Sequence, residues 1–386
     1  MEASSPVTQS ERSRRWAATM AGHDGEGVRT AHGDSHAGLG VSGPTTALGR
    51  QAREDAEDAA LAPGATRASG AGRRSIEEEP DPERTCFERD RDRVLHSAAF
   101  RRLAGKTQVF IFPADHQRTR LTHALEVAQV ATGIARALRL NAALTEAIAL
   151  GHDCGHGPGG HASEDALGVF LPDGYDHAVW GADVSLADLN LCVETLDGIR
   201  NHSWSRPAPD TPEGEVVSWA DRIAYVCHDW EDAVSAGIVT PGLLPGPVLA
   251  RCGESRSSQL GAFIGAVVAT ALESSRIGMG EDLAEALAAF RRCNYEHVYL
   301  RPASVEQGEA VVAVLKALVR HFADQPNRIP DVRHTGGLAG GSDAAVRAAV
   351  GYVAGMTDRF AMALAVSDLG WDPERLPRGI DDLHRF

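Results

Sequence analysis

Aromatic side chains make up only 5% of the 386 residues, a scarcity that argues against a β-sheet protein, whose strands draw on Tyr, Phe and Trp. Alanine and leucine dominate instead, and 43% apolar content is ample for the core of one large or two ordinary domains. The six cysteines (Cys86, Cys154, Cys192, Cys227, Cys252, Cys293) include no C-x-x-C pair, which speaks against a disulfide framework or a zinc-thiolate module and fits a reduced compartment. No run approaches the roughly 18 apolar residues of a membrane span, and Arg14-Arg15 is followed by no apolar stretch. A soluble, cytoplasmic protein is therefore expected. Positive charge is short as well: the formal net charge of -15 argues against a generic polyanion binder. It leaves room for a local basic pocket, because Arg84, Arg89, Arg91, Arg93, Arg101, Arg102, Lys106, Arg118 and Arg120 crowd into one stretch.

Apolar side chains are sparse up to about residue 80, where Ser, Gly, Ala, Arg, Asp and Glu prevail, so residues 1–80 read as a disordered extension. Order is expected to begin near Pro82. Only Thr107 to Phe112 has strand character, enough for half of a small ribbon. Beyond it the spacing predicts helices near 118–139, 142–153, 161–170, 188–201, 215–236, 257–275, 281–293, 305–324 and 343–368, separated by Gly/Pro-rich turns. One helical domain over 81–386 follows, with a catalytic core in 82–236 and a packing, pocket-closing half in 250–386.

The chemistry concentrates after Ala147-Ile-Ala-Leu-Gly151, where an apolar helix runs into adjacent His152 and Asp153 and then further histidines. Imidazole and carboxylate suit first-row divalent metals, and neighbours at a frayed helix end can both reach one ion. Further ligands are available on two other predicted helices: His123 near the start of 118–139, and Asp221 on 215–236. On the latter, Asp221, Tyr225 and Asp229 fall four apart along a polar stripe, costly for carboxylates on an otherwise apolar helix unless a metal and its ligand occupy them.

His123, then His152-Asp153, then Asp221 resembles the H…HD…D signature of the HD-domain metal-dependent phosphohydrolases. Phe87 to Leu103 (FERDRDRVLHSAAFRRL), Lys106 to Phe110 (KTQVF), Arg118 to Val127 (RTRLTHALEV), Glu194 to Ile199 (ETLDGI) and Ala354 to Ala361 (AGMTDRFA) resemble, in order, the deoxyguanosine triphosphate triphosphohydrolase family. The resemblance implies an all-α HD-domain fold with additional C-terminal helices and one divalent metal (Mn, Mg, Fe, Co or Zn) on His123, His152, Asp153 and Asp221. It further implies hydrolysis of deoxynucleoside triphosphates, dGTP or a broader set, to deoxynucleoside and tripolyphosphate.

His161 and Glu164 lie three apart at a predicted helix start, where the carboxylate can fix the imidazole's tautomer and raise its pKa. The family matches them to a catalytic His-Glu pair, and His177 to another active-site histidine. Arg120, His156 and Arg222 match phosphate-contacting positions, Tyr225 and Asp229 the sugar, and Gln108 the nucleoside. Departures occur at Cys154 and Gly159, where relatives carry bulkier Leu and Phe, and at Ala178, where Asn is common; Gly159 is expected to widen the pocket and relax base choice. Relatives imply a homo-oligomer and leave room for an activating nucleotide or single-stranded DNA. Competing readings are a nucleotide phosphomonoesterase or phosphodiesterase on the same metal frame, and a nucleotide or single-stranded DNA sensor using residues 84–106.

Overall fold

The computed structural model describes residues 10–19, 22–25, 27–36, 38–40, 46–113, 116–333 and 337–379. The chain divides into two compact units, Met1–Ala47 and Leu48–Phe386. The described part of the first holds helix α1 (Glu11–Thr19) and an antiparallel ribbon of β1 (His23–Gly25) and β2 (Val28–Thr30), inside the segment expected to lack structure.

The second unit is helical throughout. It runs α2 (Arg50–Ala60), α3 (Cys86–His96), α4 (Ala98–Arg102), α5 (Arg120–Ala137), α6 (Ala142–Gly151), α7 (Ala162–Leu167), α8 (His177–Trp180), α9 (Val193–Asn201) and α10 (Pro212–Ser235). There follow α11 (Gly246–Cys252), α12 (Arg256–Ser274), α13 (Glu281–Asn294), α14 (Pro302–Asp324), α15 (Pro330–Arg333), α16 (Asp343–Ala354) and α17 (Asp358–Leu369). Among the described residues no helix is long and apolar enough to cross a membrane. The local chemistry explains the boundaries that matter. Asn141 caps α6 by accepting from the Leu144 amide at 3.0 Å, and Thr211 caps α10 by accepting from Gly214, with Pro212 at the first helical position.

Two apolar cores flank the site. The larger joins Phe87 of α3, Ile134 of α5, Ile148 of α6, Ile223 of α10 and Phe290 of α13; the smaller joins Leu167 of α7, Leu315 of α14, Val350 of α16 and Ala361 of α17. Gly151, where α6 ends, has no room for a side chain, since a Cβ would stand 2.5 Å from Ile199 Cδ1. That close approach sets the following His152-Asp153 turn against α9.

Three expectations give way. Residues 48–80 belong to the packed unit: Ala65 and Ala68 enter the larger core, Thr66 donates to Glu213 (Oγ1–Oε2 2.7 Å), and Asn190 accepts from the Ile76 amide at 3.0 Å. The segment is fastened by polar anchors rather than by large apolar side chains, so composition does not reveal it. Thr107 to Phe112 forms no strand; only an isolated bridge joins Thr107 to Thr119. The helix predicted over 343–368 is two, broken where Thr357 turns extended and caps α17.

The strongest anchor is Arg74, whose guanidinium is buried against Asp90 (Nη1–Oδ1 2.6 Å). The other Asp90 oxygen accepts from the Cys192 amide at 2.8 Å and Thr195 Oγ1 at 2.7 Å. Truncation in Asp90→Ala strands a buried cation, and urea unfolding should show a loss of about 3–5 kcal/mol.

Candidate active site

The first turn of α5 presents Arg120 and His123 on one face, the end of α6 presents His152 and Asp153, and mid-α10 presents Asp221. Their polar atoms converge: His123 Nε2 lies 3.0 Å from Asp221 Oδ1, and His152 Nε2 lies 3.5 Å from Asp153 Oδ1 and 3.8 Å from Asp221 Oδ1. His152 donates its Nδ1 proton to the Ala149 carbonyl at 2.7 Å, which leaves a lone pair on Nε2. That atom is buried without a hydrogen-bond partner and is aimed between the two carboxylates. Burial alone would raise the Asp153 pKa, but Arg120 (Nη1–Oδ2 2.7 Å), His152 and His156 (Nε2–Oδ1 3.2 Å) hold it well below the carboxylate range. Burial likewise opposes ionisation of Asp221, and His123 and His152 keep it ionised.

Beside this set stands a second group built on α7 and α8. Glu164 Oε1 accepts from His177 Nδ1 at 2.5 Å and from the His177 amide at 3.1 Å. Its other oxygen faces His161 Nδ1 at 3.5 Å, and the His161 ring is 74% exposed. The sequence pairs Glu164 with His161; in the fold its tighter partner is His177, thirteen residues on, because the loop between α7 and α8 folds back. Burial disfavours the His177 imidazolium, yet Glu164 outweighs it and the pKa is raised. Glu164 itself is held low, against burial, by His161 and His177. His156 stacks on His177, centroids 3.7 Å apart, and burial with Arg120 and His177 nearby keeps it neutral.

These groups line one cavity of about 780 Å³. Gln108, Arg222, Tyr225 and Asp229 line it too, so every site residue named from the sequence, apart from the more deeply set His152, borders the same space. Gln108 Oε1 is buried without a partner. The Asp229 oxygens are both engaged, one by Arg118 Nη2 at 2.5 Å and the other by the Tyr299 hydroxyl. The Tyr225 hydroxyl accepts from Arg291 Nε at 2.8 Å. Gly159 does not simply widen the space: its φ is +74° and a Cβ there would meet Val311 Cγ1 at 2.5 Å, so α14 fills the direction a side chain would take.

Residues 120–226 match the HD domain, which spans all four candidate ligands, and residues 277–366 match the phosphohydrolase-associated domain. A deoxyguanosinetriphosphate triphosphohydrolase-like protein of Caldanaerobacter subterraneus subsp. tengcongensis is 40% identical, over 81% of this chain and 93% of its own. Like-named proteins of Clostridium perfringens (39%, 73% and 86%) and Syntrophus aciditrophicus (36%, 82% and 95%) are similar along comparable lengths. The chain belongs to the deoxyguanosinetriphosphate triphosphohydrolase-like family. A solved hypothetical protein of Aquifex aeolicus aligns at TM-score 0.47 and 20% identity over 77% of this chain and 72% of its own.

As a member of this family the protein is a metal-dependent phosphohydrolase, and its donors fit that assignment: His123, His152 and Asp153 lie within mutual ligating reach, Asp221 groups with His152 and His202, and both His123 and His152 carry a buried nitrogen without a hydrogen-bond partner. The dGTPase-like site also holds residues that no sequence pattern singled out. His202, at the end of α9, is buried with Nε2 3.2 Å from His177 Nε2, and burial with His152 and His177 nearby lowers its pKa to about 3. Arg291 and Tyr299 come from the C-terminal half. Their signal was chain-distant, more than sixty residues from the α10 side chains they touch.

One polar lock ties that half to the dGTPase-like loop. Asp358, at the start of α17, accepts from the Thr107 amide (2.9 Å), Thr107 Oγ1 (2.5 Å) and the Gly159 amide (2.8 Å). Lys106 is buried next to it, donating to the carbonyls of His156 and Ala354, and burial lowers its pKa to about 8.

Proposed function

We propose that the protein hydrolyses deoxynucleoside triphosphates to deoxynucleoside and tripolyphosphate. The observation that carries this reading is the charge arrangement of the cavity. Beyond the metal set it continues to Arg222 on α10 and Arg291 on α13, neither of which has a carboxylate partner among the described residues. Cations left unpaired in a chain of net charge -15 call for an anion longer than one phosphate. A monoester or cyclic diester would leave them unanswered, which disfavours the phosphomonoesterase and phosphodiesterase readings.

A divalent ion on His123, His152, Asp153 and Asp221 supplies Lewis acidity to a phosphoryl oxygen and to water. Arg120 and His156 hold Asp153 ionised and face the same space. In the reaction a water oxygen bonds to the α-phosphorus, the bond from phosphorus to the 5′-oxygen breaks, and that oxygen leaves with a proton as the sugar hydroxyl. Glu164 governs the proton: one of its oxygens fixes His177 and the other faces His161, so both imidazoles draw on one carboxylate. Arg118 and Tyr299 fix Asp229 in the wall where the sugar would lie.

The test is incubation of Mn-loaded protein with each deoxynucleoside and ribonucleoside triphosphate, with tripolyphosphate separated from pyrophosphate and phosphate. Deoxynucleoside plus tripolyphosphate is expected; release of phosphate or pyrophosphate instead would select another hydrolase class. Metal removal offers a second check. Dialysis against a chelator should abolish turnover and lower stability by about 2.7 kcal/mol relative to protein held at 100 times the metal Kd.

A further inference from the structure

Trp204 has no role in the site as described so far. It sits in Ser203-Trp204-Ser205 just after α9, lines the cavity and is 49% exposed. The indole is nonetheless fixed. Its Nε1 donates to the Ser218 carbonyl at 3.2 Å, and its ring meets Trp219 edge-on with centroids 4.8 Å apart. Over the ring lies the Arg222 guanidinium, its central carbon 3.8 Å from the centroid, while Tyr225 stands on another side at 5.8 Å. Among the described residues the Arg222 side chain donates no hydrogen bond and forms no ion pair, so this cation is held by aromatic faces alone.

That mode of holding has a consequence. Arg222 follows Asp221 directly, and a mobile guanidinium would be drawn to that carboxylate and away from any ligand. An aromatic face attracts the cation without neutralising it, and a guanidinium lying flat keeps its N–H edges pointing outward. We propose that Trp204 is a positioning residue: it holds Arg222 flat and off Asp221, so that the N–H fork meets the terminal phosphates of the substrate. This inference rests on the triphosphohydrolase reading.

The test uses metal-loaded full-length protein in two measurements, steady-state hydrolysis of the best deoxynucleoside triphosphate and calorimetric binding of inorganic tripolyphosphate. Trp204→Leu and Trp204→Gln remove the ring from a half-exposed site, and Trp204→Phe keeps one. Loss of the ring should raise KM and the tripolyphosphate Kd about ten-fold, while Trp204→Phe recovers most of the loss. Since the contact acts on binding, kcat should stay within about two-fold. In an Arg222→Ala background the same replacements should add nothing further. The proposal is overturned if the ring-less variants bind and turn over like the wild type, or if their loss persists in full beside Arg222→Ala. A wild type that binds tripolyphosphate with this dependence on Trp204, yet releases none from any triphosphate, would sink the triphosphohydrolase reading and leave the platform standing.

Discussion

Asp153→Ala is expected to eliminate turnover, lowering kcat/KM by at least about 10³-fold, roughly 4 kcal/mol of transition-state stabilisation. Asp153 touches more of the site than any other group. It faces His123 and His152, accepts from Arg120 at 2.7 Å and stands 3.2 Å from His156 Nε2. Loss of a residue that merely orients a metal ligand typically costs about 10–100-fold in metal affinity or activity, and removing a ligand should exceed that. Metal content by elemental analysis should fall with activity. A further effect separates Asp153 from a simple ligand. Its absence leaves the Arg120 guanidinium buried without a counter-charge, so the variant should also melt earlier, whereas Asp153→Asn should soften only part of the melting loss. Full activity in Asp153→Ala would refute the site as drawn.

Glu164→Gln should lower kcat by about 10²–10⁴-fold while metal content stays at the wild-type level, which separates proton transfer from metal binding. The pH profile carries the sharper test. Glu164 raises the His177 pKa, so the imidazolium persists up to that raised value and is lost as pH climbs through it. Without the carboxylate the His177 pKa drops, and the alkaline limb of kcat should move to lower pH. An unmoved limb with wild-type kcat would show that Glu164 only supports the backbone of α8 through the His177 amide.

The helices that carry the metal set were legible because each announces itself locally. Apolar residues recur along α5 and α10 with helical period, while the caps at Asn141 and Thr211-Pro212 fix where α6 and α10 begin, the latter three residues before the expected 215. The four candidate ligands were legible because their order and spacing match a known signature. What could not be read depends on contacts distant in the chain. Residues 48–80 look unstructured because their anchors are single polar atoms, such as Thr66 on Glu213, rather than an apolar stripe. Glu164 pairs locally with His161 in any helical reading, and only the return of the loop to α8 brings His177 closer. Asp229 reads as a free carboxylate until Arg118 and Tyr299 arrive from other elements, the latter seventy residues away. The helix predicted through 343–368 is apolar on both sides of Gly355, and Thr357 breaks it because α17 must turn to deliver Asp358 to the loop.

That delivery bears on how the enzyme comes into being. Gly159 and the Asp358 carboxylate that pins it are separated by 199 positions, so the loop is fastened by one of the later helices to be synthesised. A nascent chain leaving the ribosome has all four candidate metal ligands once residue 221 has emerged, and Arg120, Lys106 and Tyr175 can already hold parts of the segment from His152 to His161, but the Gly159 amide gains its carboxylate partner only when α17 docks. A fragment ending before Asp358 is therefore expected to retain metal while turning over more slowly than the full chain, which metal analysis and a turnover assay on the same preparation would check.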